Sequence, residues 1–321
     1  MWISAASSAD GTNLAVVSFD SNGIYVSHDS GAHWAPAGLP AETWFSVASS
    51  ADGSKLVAAA YFGPSFSGLG PIYTSSNYGN NWTSNNLPMK NWTSVASSAD
   101  GTQLAAVARS SNPNQFGPIF TSSNSGVTWT SNNVPGQEWS SIAASADGSQ
   151  LMAVALNGPI YVSTNSGSAW ASVNSPSTTN WSSVASSADG REFVAEVLGG
   201  GIYTSPDLGV TWLTNNAPHT NWAGIAMSAD GHKLVSVIYG GGIYSSYSPP
   251  APQLCISPVN NNFALSWLVP STNFGLQQNS NLSTVNWVTV TNVPTLNFTS
   301  LQDEVILSPS NSNGFFRLIS Q

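Results

Sequence analysis

In a chain where only 7% of residues carry charge, the carboxylates that escape repetition are the first places to look for chemistry. Of the 15 acidic residues, Asp10, Asp52, Asp100, Asp147, Asp189 and Asp230 recur in one Asp-Gly turn, and Asp29 and Asp207 recur in a second motif. Glu192 follows one of those turns, and Asp303 and Glu304 lie near the C-terminal end. Asp20, Glu42, Glu138 and Glu196 remain, and by their order among the short strands all four are expected in loops that share one rim of the fold. A further series stands immediately before a repeated Trp: Thr43, Asn91, Glu138, Asn180 and Asn221. Oxygen donors with a single carboxylate suit Ca²⁺ rather than Zn²⁺, so Glu138, Asn91, Asn180 and Asn221 are candidate metal ligands if they converge. A metal held there would polarise a carbonyl oxygen, with His219 as base and Asp20 and Glu196 as assisting carboxylates. The reaction would be hydrolysis of a small ester or lactone. Each assignment has a plain structural alternative. Asn before a strand closes a turn through its own side chain, and exposed loops tolerate charge. Glu138 and Glu196 could also be the acid and base of a glycosidase.

Candidate substrate contacts are Tyr61, Phe62, Phe66, Arg109 and Phe116, which fall at or in two longer loops. Rings on a rim stack on sugars, cover an acyl chain or pack on one another.

Such residues need a frame that gathers positions far apart in the chain. The phrase Trp-x-Ser-Val-Ala-Ser-Ser-Ala-Asp-Gly starts, with variations, at Trp2, Trp44, Trp92, Trp139, Trp181 and Trp222, at intervals of 41–48 residues. After each copy come a short apolar run such as Leu151–Leu156, an aromatic strand such as Ile160–Ser163, and a last strand centred on Trp34, Trp82, Trp129, Trp170 or Trp212. No segment holds a 3.6-residue period, and Asp-Gly marks tight hairpins. Four short strands at this period predict an all-β, six-bladed β-propeller over residues 1–248, closed into a wheel whose small inner residues crowd the axis. The sixth unit runs into Ser248-Pro249-Pro250-Ala251-Pro252 without a closing Trp, so its outer edge is expected to be covered by the C-terminal module or by residues upstream of Met1.

The stretches Ser27–Trp34, Ser75–Trp82, Ser122–Trp129, Ser163–Trp170 and Ser205–Trp212 read Ser-x-Asp/Asn-x-Gly-x-x-Trp. This pattern resembles the Asp-box, or BNR, repeat of the sialidase-like propellers. The resemblance implies that the box is a folding device away from the active face, with its Trp packed between blades. Sialidase chemistry does not follow, because an arginine triad cannot be assembled from Arg109 and Arg191 with Arg317 outside the propeller. The predicted architecture is also similar to that of six-bladed calcium-dependent lactonases, which carry a metal on the axis.

Residues 249–252 read as a linker, and 253–321 as a small β-sandwich similar to C-terminal modules of bacterial secreted repeat proteins. With 15 acidic against 6 basic residues, no phosphate-binding surface is expected, so nucleic acid is excluded as a partner. No apolar run is long enough for a membrane-spanning helix. The single Cys255 leaves stability to packing. The sequence therefore points to an extracellular or cell-envelope monomer lacking a signal peptide, acting as a calcium-dependent hydrolase of a small-molecule ester or lactone. The alternatives are a non-catalytic propeller binding carbohydrate or a protein partner through one rim, and a surface-structural repeat protein.

Overall fold

The computed structural model describes residues 1–20, 23–40, 42–63, 69–109, 117–132, 134–176, 180–248, 253–268, 274–297, 302–309 and 314–320. Two compact units divide between Ser248 and Pro249. The first carries six antiparallel blades built on one plan. The inner strands are Trp2–Ser7, Thr43–Ser49, Asn91–Ser97, Trp139–Ala144, Trp181–Ser186 and Thr220–Met227. Each turns at Asp-Gly into a second strand: Leu14–Ser18, Leu56–Phe62, Leu104–Arg109, Leu151–Ala155, Phe193–Gly200 or Lys233–Ile238. Third strands are Ile24–Ser27, Ile72–Ser75, Ile119–Ser122, Ile160–Ser163, Ile202–Ser205 and Ile243–Tyr247. Fourth strands are short, namely Ala35–Pro36, Thr83–Ser84, Thr130–Ser131, Ala171–Val173 and Leu213–Thr214. Blade six has only three strands among the described residues.

The fourth strands were expected to centre on a Trp, but they begin just after it. The box explains the offset. In blade three, the Ser122 hydroxyl accepts from Gly126 N–H at 3.0 Å and donates to Asn124 Oδ1 at 3.0 Å. Asn124 Oδ1 accepts Thr128 N–H at 2.8 Å, and the Trp129 indole N–H donates back to the Gly126 carbonyl at 3.1 Å. The Trp therefore closes the turn, and only the residues after it are free to pair.

The Asp-Gly turns work similarly. Ser98 Oγ donates to Asp100 Oδ1 at 2.6 Å, and Thr102 N–H donates to the same oxygen at 2.9 Å. These donors, led by Ser98, lower the Asp100 carboxyl to about 2. Gly148, in the equivalent turn of blade four, sits at φ +71, and a Cβ there would lie 2.4 Å from Gln103 Cβ of blade three. Both the backbone twist and the neighbouring blade thus demand glycine.

Blades are joined by three recurring devices. The inner-strand Trp of each following blade is fully buried in a Val/Ala/Ile layer of the blade before it: Trp44, Trp92, Trp139, Trp181 and Trp222 are all 0% exposed. Inner-strand serines reach across the hub. Ser4, Ser46, Ser94, Ser141 and Ser183 accept the backbone N–H of Val47, Val95, Ile142, Val184 and Ile225 at 3.1–3.3 Å. On the turn side, the N–H of Ala9, Ala51, Ala99, Ala146 and Ala188 donates to the carbonyl of the next blade's matching Ala at 2.7–2.8 Å. The Ser/Ala richness of the inner strands is thus explained by bonding as well as by size. Ser94→Ala, which strips a buried N–H of its acceptor, is expected to lower unfolding free energy by about 1–3 kcal/mol, read as a shifted urea midpoint at constant slope.

The series of inner-strand packings runs from blade one to blade six. Among the described residues its two ends stay exposed. Trp2 is 58% exposed, and on the far face of blade six Val237 and Ile243 are 38% and 75% exposed, where their counterparts Val154 and Ile160 in blade four are fully buried. The wheel expected to be closed therefore presents an unused Trp at one end and an unfilled Trp socket at the other.

The second unit packs two sheets, one ordering Cys255–Val259, Asn262–Leu268, Gln302–Leu307 and Thr295–Asn297, the other Val288–Thr289, Phe274–Asn279 and Phe315–Ser320. Leu265, Trp267, Leu276 and Val305 form its core. Arg317 stacks on Trp287 at 4.3 Å and donates to Gln277 Oε1 at 2.8 and 3.0 Å, so it serves this unit's surface. Residues 249–252, read as the linker, lie outside the described residues, and Cys255 is exposed.

Candidate functional site

One rim of the propeller is made where second strands end and inner strands begin. Chain pairing continues between blades there. Gly70 bridges Lys90, Gly117 bridges Gln137, and the second strand of blade five runs on to pair Leu198 and Gly200 with Asn221 and Thr220. The unrepeated acids were expected along this rim, and the structure separates them.

Asp20 is exposed at the end of the second strand of blade one, where its carboxylate accepts from the Met1 amino group, which lowers its pKa. Glu138 is half-buried before the inner strand of blade four, its carbonyl accepting Leu156 N–H at 2.9 Å. The other two turn inward. Glu42 is buried between blades one and two beside Tyr73, and burial raises its pKa. Glu42 also adds to the raised pKa of Tyr73, after burial itself. Glu196 lies within the second strand of blade five, fully buried, with Oε2 accepting the Ser236 hydroxyl of blade six at 2.7 Å. Burial pushes Glu196 up to about 7, against the hydrogen bonds that lower it.

This corrects the expected role of Glu196. It occupies the place that Val17, Val107 and Val154 hold in other blades and faces the next sheet rather than solvent. The reason is register: Glu196 pairs with Ser183 and Ile202 in mid-strand, and the alternation places it on the inter-blade face. His219 is exposed near Gly201, where a Cβ would lie 3.4 Å from Nε2, while Asp20 stands on blade one. His219, Asp20 and Glu196 thus have three different environments, one exposed imidazole, one exposed carboxylate and one sealed acid.

The proposed metal donors occupy matching backbone positions. The carbonyls of Glu138, Asn180 and Asn221 accept from Leu156, Leu198 and Tyr239 N–H at 2.8–2.9 Å. Asn91 is buried with Oδ1 unpartnered among the described residues. Arg109 stands directly across the strand pair from it and also has its Nε buried without a partner. An arginine cross-strand from the first donor opposes a divalent cation there. Asn221 is exposed. Among the described residues, no three His, Cys, Asp or Glu side chains are grouped to hold a metal ion. This donor set fits Ca²⁺ poorly.

The aromatic residues, by contrast, do come together. Tyr61 and Phe62 are 4.6 Å apart edge to face, Phe45 lies 5.3 Å from Tyr61, and Phe19 lies 6.1 Å from Phe45. All four are half-buried, forming a ladder over the rim of blades one and two. Phe19 and Phe45 escaped the sequence reading. Phe45 replaces the Thr93, Ser140 or Ser182 of other inner strands, and that break in the repeat was the available signal. Phe66 and Phe116, also expected as contacts, lie outside the described residues.

No protein-family model matches the chain, and no curated protein matches it. Among solved structures, it is similar to YCF48 bound to a D1 peptide, at 14% identity and TM-score 0.56, over 82% of this chain and 87% of that one. It is likewise similar to the hydrazine synthase of Kuenenia stuttgartiensis, at 15% identity and TM-score 0.60, over 77% of this chain and 84% of that one. Both likenesses show the β-propeller fold.

Proposed function

We propose that this chain is a non-catalytic binding propeller that takes a protein partner on the rim of blades one and two. The observation that carries the reading is the ladder of Phe19, Phe45, Tyr61 and Phe62, four half-buried rings at one end of two adjacent blades. Rigid rings supply contact area at small entropic cost, and aromatic anchors dominate protein interfaces. The edge-to-face contact of Tyr61 with Phe62, at 87°, presents a stepped surface rather than the flat platform a sugar ring stacks on. Low charge on the chain favours an uncharged partner surface. YCF48, a structural neighbour, has a peptide bound, which accords with polypeptide recognition on this fold.

The hydrolytic reading is weaker because Glu196 is sealed between blades and the metal donors include an arginine's neighbour. Peptide and glycan arrays probed with the full chain separate the possibilities. Peptide signals are expected that survive chelator and fall at least about tenfold on Tyr61→Ser or Phe45→Ser. Glycan signals alone would replace the protein partner with a carbohydrate. Chelator-sensitive turnover of an ester or lactone would restore the hydrolase.

A further inference from the structure

Blades two to five each place the box Trp in the same seat. Trp82 packs against the cluster that holds Ile24 and Leu56, with Tyr73 on the same cluster, and Trp129 against the one that holds Ile72, Leu104 and Phe120. Trp170 packs against the cluster that holds Ile119, Leu151 and Tyr161, and Trp212 against the one that holds Ile160 and Phe193, with Tyr203 on the same cluster. Each cluster joins an Ile from the blade before to an apolar residue and an aromatic ring from the second and third strands of the Trp's own blade. The two residues after the box Trp then pair with the third strand, as Thr83 with Thr74 and Ser84 with Tyr73. A further N–H, that of Asn85, donates to the carbonyl of Ile72 at 2.9 Å.

Among the described residues, blade six has the seat and no box Trp to fill it. Ile202, Leu234 and Tyr244 stand at the three equivalent positions and line a cleft of about 350 Å³ with Asn216, Ser245 and Ser246. Among the described residues no strand pairs with the outer edge of Ile243–Tyr247. Tyr244 is 44% exposed there, whereas Tyr161, its counterpart in blade four, is buried. No charged side chain lines the cleft.

We propose that this cleft accepts an extended segment of a partner polypeptide, which adds as the fourth strand of blade six and seats an indole between Leu234 and Tyr244. The inter-blade contact continues unchanged, with a partner's Trp where the other blades use their own, and strand addition supplies main-chain bonds. Among the described residues a second copy has no such segment to lend, because all five fourth strands are paired within their own blades. The expected partner sequence is an aromatic residue followed by small uncharged residues, as in Trp82-Thr83-Ser84-Asn85. This site is separate from the aromatic rim and stands whether or not the rim binds anything.

The test uses the full chain and a dye-labelled synthetic peptide copying residues 79–88, followed by fluorescence polarisation. Saturable binding tighter than about 1 mM is expected, weakened at least about tenfold when the peptide's Trp is replaced by Ala. Asn216→Trp, which fills the cleft from an exposed position, and Ser245→Pro, which spoils the edge, are each expected to abolish it. A photo-cross-linker replacing Ser246 should label the added peptide. Four results overturn the proposal: no binding at about 1 mM, equal binding of the Trp-less peptide, loss of binding on Tyr61→Ser instead of the cleft variants, or cross-links only to this chain or a second copy.

Discussion

Trp139→Ala is expected to cost about 3–5 kcal/mol of unfolding free energy, and Trp2→Ala less than about 1 kcal/mol, although the two residues begin the same repeated phrase. Trp139 is fully buried among Val107, Ile119 and Ile142, lies 5.6 Å from Tyr161, and donates its indole N–H to the Gly117 carbonyl at 2.8 Å. Truncation there removes the largest side chain in the layer between blades three and four and leaves that carbonyl without its donor. Among the described residues no blade covers Trp2, which is 58% exposed and meets Tyr25 edge-on at 5.5 Å. Urea midpoints of the two variants measure the difference directly. Equal losses would mean that Trp2 is buried in solution, with the ends of the blade series covered.

The second large effect concerns pH. Glu196 has its folded pKa raised to about 7 from an ordinary 4.5, so above pH 7 folding holds an ionised carboxylate where burial disfavours it. Below about pH 4.5 the acid is neutral in both folded and unfolded chains and costs nothing. Between pH 4.5 and 7 the unfolded chain loses its proton first, and stability falls as pH rises, by about 3 kcal/mol in full. Glu196→Gln keeps an acceptor for Ser236 and removes the charge, so it is expected to be stabilising at pH 8, nearly neutral at pH 4, and to flatten the slope between them. The turn carboxylates act in the opposite sense. Asp10, Asp29 and Asp100 have pKa values lowered to about 2, so their contribution is present above the ordinary aspartate range and is lost as pH falls toward 2. The wild-type chain should therefore be most stable near about pH 4–5. Thermal unfolding from pH 3 to 8 checks both arms, and an unchanged slope in Glu196→Gln would mean the acid is hydrated.

The repeat was legible because its signals are local. Asp-Gly needs positive φ, the box ties residues four apart, and the period counts strands regardless of how blades meet. The box Trp was read as an inter-blade wedge, and it packs so from blade two to blade five. The site was less legible because its evidence is a matter of facing. Glu42 and Glu196 looked like rim acids by their place in strand order, yet alternation within its strand turned Glu196 toward the next blade, and Glu42, just before its strand, is buried beside Tyr73. Phe45 was overlooked because it sits inside the repeated phrase, where only comparison with Thr93, Ser140 and Ser182 marks it as unusual.

From sequence alone came the all-β class, six units of one design, the structural duty of most aspartates and the absence of a sialidase arginine triad. These follow from short-range backbone chemistry and from counting residue types. Tertiary structure alone decided that the blade series ends in an exposed Trp and an unfilled socket, that two rare acids are sealed, and that four aromatic rings meet on one rim. Each of those depends on which sheet face meets which neighbour, and a period of two along a strand cannot reveal its neighbour until the sheets are stacked.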